Sequence, residues 1–105
     1  MEFEKILKLL QSKKRPLREK GANALYKKMY QPLMGFYRLR KLDKHESEEV
    51  IMSSLLKICT KVETLKEPKK FRAWCWKIAR TTMLDHFKKY KKYENDITEV
   101  LINEF

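Results

Sequence analysis

Two glycines and three prolines are all that punctuate 105 residues, and this scarcity of breakers constrains the fold more than any other feature. Strands need frequent turns, and turns draw on Gly and Pro, so a chain this poor in both is expected to be built from helices. Hydrophobic residues make up 43% of it, too many for a disordered chain. The length allows one domain with one modest core. The expected fold is all-α, a compact bundle of four to five helices with a long fourth helix at its centre.

Apolar periodicity places the helices. Phe3, Ile6, Leu7 and Leu10 share a stripe on a first helix over about residues 2–14, which Pro16 closes. A second is expected over about 21–41, with Leu25, Tyr26, Met29, Leu33, Phe36 and Tyr37 inward. Pro32 falls inside that pattern and should kink or restart it. A third starts at a Ser47 N-cap and runs to about Glu63, with Val50, Ile51, Leu55, Ile58 and Val62 buried and Glu48 and Glu49 at the positive end of its dipole. Pro68 then opens a fourth helix that runs to about Tyr93. It carries two apolar stripes, Phe71, Trp74, Cys75 and Ile78 on one and Trp76, Ala79, Met83, Phe87 and Tyr90 on the other. A helix apolar on two sides packs against two neighbours. Residues 95–105 could form a short last helix with Ile97, Val100, Leu101 and Phe105 on one side.

The net charge of +11 favours a polyanionic partner, nucleic acid or an anionic membrane surface. Residues 66–92 hold ten Lys or Arg against Glu67 and Asp85, whereas the last thirteen residues hold four acids and no Lys or Arg. At 100° per residue Lys70, Lys77, Thr81, Leu84 and Lys88 share a narrow face between the two apolar stripes. That face reads equally as a DNA-facing strip or as an ordinary solvated one. The opposite charge of the tail raises the expectation that it folds back over the basic helix.

Catalysis has no inventory to draw on. There is no Gly-rich phosphate loop, no HExxH and no nucleophile with a plausible base. Asp85 and His86 are neighbours in sequence, so on a helix they diverge by about 100°. Cys59 and Cys75 form no CxxC pair and have no histidine at metal-ligand spacing, so both are read as reduced core residues, with no metal or cofactor. No uncharged run reaches membrane-spanning length and no leader is visible, so a cytoplasmic location is expected.

Three segments carry a resemblance. Residues 71–80, FRAWCWKIAR, look like the FRAWLYRIAR stretch of extracytoplasmic-function RNA polymerase sigma factors, and residues 82–89 resemble its basic continuation. Residues 46–57 are similar to that family's DAEDVVQETFLR segment, and residues 25–33 to its opening LYRRYAPRL. The three occur in order and at the right separations over about residues 24–92. The matching domain is region 2, which binds the polymerase clamp and the −10 promoter element. The resemblance divides the chain into an N-terminal helix extension (1–20), a region 2-like domain (21–93) and an acidic amphipathic tail (94–105).

The resemblance also implies roles. Glu49, Met52, Ser53 and Leu56 would meet the clamp coiled coil of the largest subunit of core RNA polymerase, with Met52 and Ser53 standing where the family has Gln and Glu. Lys77, Thr81 and Asp85 would face promoter DNA, and Thr81 stands where Asn is common. Phosphate contacts would come from Lys69, Lys70, Arg72, Arg80, Lys88 and Lys89. The non-template strand would be held with a base flipped out, unstacking being returned by stacking on protein. A complete factor carries a second domain for the −35 element. The chain is then either part of a longer factor or a region 2-only protein served by a partner that supplies the −35 function. An anti-sigma protein is a further possible partner. The competing reading is a helical nucleic-acid-binding protein, or a polymerase-binding regulator without promoter-opening activity.

Overall fold

The computed structural model describes residues 1–104. Four α-helices, α1 (Phe3–Leu10), α2 (Arg15–Leu39), α3 (Lys44–Lys61) and α4 (Phe71–Glu104), follow one another. Two single 3-10 turns, Val62–Thr64 and Pro68–Lys70, lie between α3 and α4. The described residues contain no strand.

Several helix ends differ from the expected ones, each for a local reason. The first helix stops at Leu10, and Pro16 opens α2 rather than closing α1. Proline suits a first turn because its missing N–H would have no helical partner there. Pro32 neither ends nor restarts α2, which is continuous through it. Its ring is exposed, and the helix on either side is long enough to carry one lost hydrogen bond. The N-cap of α3 is Asp43 rather than Ser47. The Glu46 amide donates to Asp43 Oδ1 at 2.7 Å, and the Asp43 amide donates back to Glu46 Oε1 at 3.5 Å. This reciprocal capping box satisfies two of the orphan donors and holds the Asp43 carboxyl below its ordinary pKa, chiefly through the Glu46 amide. Ser47 lies one turn inside, fully buried, its Oγ without a protein partner.

α2 ends in a Schellman turn. Lys41 takes the left-handed conformation at φ 70°, the Leu42 amide donates to Tyr37 O and the Lys41 amide to Arg38 O. The turn drops Leu42 into the core, where it is 2% exposed. α1 is too short to persist alone. It is held by burying Ile6, Leu7 and Leu10 in the same core as the other helices, each contributing about 1.5–3 kcal/mol relative to exposure. Gly21 is what lets α2 come close. A Cβ there would stand 2.9 Å from Leu9 Cβ and 3.0 Å from the Leu10 amide nitrogen.

One polar contact locks three helices. Tyr37 Oη of α2 lies 2.8 Å from Ala79 O of α4 and 3.0 Å from Ser54 Oγ of α3, which lies 2.7 Å from Val50 O. Each hydroxyl has one proton, so two of these three contacts are hydrogen bonds at any moment. Burial pushes the Tyr37 phenol above its ordinary pKa.

Both apolar stripes of α4 meet protein only along its first half. Phe71, Cys75, Ala79 and Met83 are buried, with Trp74, Trp76 and Ile78 half-buried beside them. Phe87 and Tyr90 were expected inside and are exposed, as is Tyr26 on α2. The expected separate last helix does not exist. Residues 94–104 continue α4 as a single helix of 34 residues, about 51 Å long, in a molecule 58 × 25 × 23 Å. Ile97, Val100 and Leu101 are exposed, and the expected inward Phe105 lies outside the described residues. The acidic end therefore points away from the basic turns instead of folding over them. No Gly or Pro separates Lys88 from Glu104 to break the helix, and propagating an existing helix costs less than starting another.

Candidate polymerase and nucleic-acid interfaces

α3 and α4 each keep one face for solvent. On α3, Glu49, Met52, Ser53 and Leu56 are all exposed and fall within about 100° of one another round the helix. Met52 and Leu56 are 55% and 67% exposed, an apolar centre with no cover. The capping box and the buried opposite face hold the helix rigid beneath them. Glu49 Oε1 lies 3.2 Å from His45 Nε2, one turn back.

Every expected nucleic-acid residue is exposed, Lys69 and Lys70 in the turn before α4 and Arg72, Lys77, Arg80, Thr81, Asp85, Lys88 and Lys89 on α4 itself. They do not form one surface. Lys77, Arg80, Thr81 and Lys88 lie within about 100° on the side opposite the core, together with Leu84. Asp85 turns towards α3, its Oδ2 3.8 Å from Lys57 Nζ. Lys89 stands about 120° round the helix from Lys77. Lys70 Nζ pairs with Glu67 Oε2 at 3.2 Å in the preceding turn. The Thr81 hydroxyl reaches back to Lys77 O and Ile78 O, each at 3.0 Å, so its proton is used within the helix and its lone pairs are what it offers outward.

Of the strip expected through Lys70, Lys77, Thr81, Leu84 and Lys88, the last four are one line on this face, while Lys70 lies in the 3-10 turn before α4. A second line emerges with the packing. Arg72, Trp76, Arg80, Leu84 and Lys88 recur every four residues as a slowly turning ridge about 24 Å long. Trp76 was expected to be packed. It is half-buried, edge-on to Phe36 with ring centroids 5.5 Å apart, while Arg40 sits 3.5 Å from the Phe36 centroid. Its other side lines a cavity between α1, α2 and the start of α4, together with Phe3, Lys28, Lys69 and Arg72. Phe3 and Lys28 escaped sequence reasoning because neither is near the basic segment in the chain. Cations interleaved with an aromatic on one exposed ridge form a pattern suited to single-stranded nucleic acid.

A family model for sigma-70 region 2 matches residues 25–93, about two thirds of the chain. The chain belongs to the sigma-70 region 2 family. Region 2 is the part of these non-enzymatic initiation factors that binds RNA polymerase and recognises the −10 promoter element. No curated protein and no solved structure gives a match to the chain. The region 2 match begins at Leu25 and ends at Tyr93. It therefore holds the exposed faces of α3 and α4, while α1, the first ten residues of α2 and the last turns of α4 lie outside it. Among the described residues no group of His, Cys, Asp and Glu could hold a metal ion, and no helix is long and apolar enough to cross a membrane.

Proposed function

We propose that this chain is the region 2 module of an extracytoplasmic-function sigma factor, gripping core RNA polymerase with α3 and the opened −10 element with α4. The observation that carries this reading is the pairing of two different exposed faces on two adjacent, rigidly packed helices. The α3 face is apolar at its centre and acidic at its edge, which suits a helix-on-helix contact with a basic coiled coil of the largest subunit. The α4 ridge is cationic and carries no acid, which suits a phosphate backbone. Lys77, Arg80 and Lys88 would hold the non-template strand by its phosphates. Thr81 would offer an acceptor to a base edge. Asp85, drawn towards Lys57, would steady α4 on α3 more than touch DNA. Domain organisation follows the same reading, with residues 21–93 as the sigma module, 1–20 as an added helix that shares its core, and 94–105 as an acidic extension. Contacts to the −35 element would come from a second domain or a partner protein.

The test is start-site-specific transcription by purified core polymerase supplied with this chain. Lys77→Ala with Thr81→Ala should lower promoter opening and leave co-purification with core polymerase intact. Glu49→Lys should do the opposite. Nucleic-acid binding without polymerase capture would favour a general helical binding protein. Polymerase capture without transcripts would favour a regulator that lacks opening activity.

A further inference from the structure

We infer that the last turns of α4 form a docking face for a basic amphipathic helix of a second protein, apart from the polymerase and nucleic-acid faces. Cys75, Ala79 and Met83 lie on the stripe of α4 that is buried against the other helices. The stripe does not stop where the core stops. Tyr90, Tyr93, Ile97, Val100 and Leu101 fall within the same arc of about 100°, and all are exposed, from 46% at Ile97 to 68% at Tyr93. α3 covers the stripe only as far as His86, whose Nε2 lies 3.1 Å from Glu46 Oε2. Beyond His86, about 17 Å of helix from Tyr90 to Leu101 repeats apolar side chains at the spacing of a helix-pairing seam, with no cover among the described residues. Tyrosine is favoured at interfaces, and a bare apolar stripe is what a partner helix meets through its own i, i+3, i+4 and i+7 anchors.

Charge selects the occupant. Glu94 and Asp96 flank the seam, one on each side, at the positions whose charges set partner choice in paired helices. Neither pairs with a cation among the described residues, and residues 93–103 hold no Lys or Arg. Acids there repel nucleic acid and anionic membrane, although the chain as a whole carries +11. A second copy is disfavoured as well. In a parallel pair the two α3 helices would collide, because each sits on the pairing face. In an antiparallel pair, Tyr90 and Tyr93 of one copy would layer on Val100 and Ile97 of the other, with the symmetry axis beside residue 95. Glu94 would then face Glu94 and Asp96 would face Asp96, like charges at the centre of the contact. A helix with Lys or Arg beside its apolar seam meets both acids with the opposite sign.

Two fluorescein-labelled helical peptides of about three heptads test this, both with Leu at a and d, one with Lys and the other with Glu at e and g. α3 has an acid-edged apolar face of its own, so binding is measured in a Glu49→Lys, Leu56→Ala background that removes it. The Lys peptide should bind and the Glu peptide should not. Ile97→Ala should weaken the Lys peptide about 10-fold, the effect of one buried aliphatic side chain. Its thermal midpoint should not move, since Ile97 lies outside the core. Glu94→Lys with Asp96→Lys should reverse the preference between the two peptides. Sedimentation of the protein alone should show a monomer. Equal binding of both peptides, a preference that the charge reversal leaves unmoved, or a dimer that Ile97→Ala dissociates would overturn the proposal.

Discussion

The cationic face of α4 supports a quantitative test, because the structure separates the cations on that face from those elsewhere. Lys77, Arg80 and Lys88 are exposed, lie on one side of the helix and form no ion pair among the described residues. Replacing all three by Gln removes three phosphate partners. Each contact to a single strand contributes about 0.7 to the slope of log affinity against log salt, so the slope should shrink by about 2. Between about 50 mM and about 200 mM salt, the parent-to-variant affinity ratio should then fall about 20-fold. The control is Lys8→Gln, Lys13→Gln and Lys20→Gln, which removes the same charge from exposed positions on α1, the α1–α2 connection and the start of α2. It should leave the slope nearly unchanged. Both triples should keep their stability, since exposed substitutions away from caps and core typically change it by less than about 0.5 kcal/mol per site. Fluorescence anisotropy with a single-stranded oligonucleotide across a salt series reads both slopes. Equal slopes for the two triples would mean that net charge alone attracts DNA, and the assignment of a face would be refuted.

Gly21→Ala should destabilise the fold, because the new Cβ meets backbone and Cβ atoms of α1 at 2.9–3.0 Å, whereas Gly35→Ala meets nothing within 4 Å and should stabilise it by about 0.5–1 kcal/mol; urea titrations of both variants check the opposite signs. Tyr37→Phe should cost about 1 kcal/mol, a fall in thermal midpoint of about 4–8 °C, since Ser54 keeps Val50 O as acceptor and neither partner is left without a bond; a cost above about 3 kcal/mol would mean that the three-helix lock does more than the geometry allows. Burial pushes the Cys75 thiol up to about 12 and also raises Cys59, so thiolate is scarce in both at neutral pH; maleimide labelling at pH 7 should be slow in the native protein, slower at Cys75, and fast in denaturant.

Much of this was legible in the chain because helical periodicity is local. Met29, Leu33, Ile51 and Ile58 announce their burial by spacing, and the same arithmetic leaves Glu49, Met52, Ser53 and Leu56 on one outer face and Lys77, Thr81 and Lys88 on another. Helix ends were less legible. Pro16 could close one helix or open the next, and both Asp43 and Ser47 are good caps. The choice fell to Asp43, whose Glu three residues on completes the capping box, while Ser47 was drawn into the core.

What the sequence determined by itself is the helical class, the inward stripes and the order of residues round each helix, because bonds along the chain and 100° per residue fix these without reference to any neighbour. The packing of one helix on another decided the rest. It brought Phe3 and Lys28 to Trp76 from distant parts of the chain, turned Asp85 to Lys57, and left the last turns of α4 without a neighbour. Such pairings depend on how closely helices approach, and Gly21 shows that a single absent Cβ can set that distance.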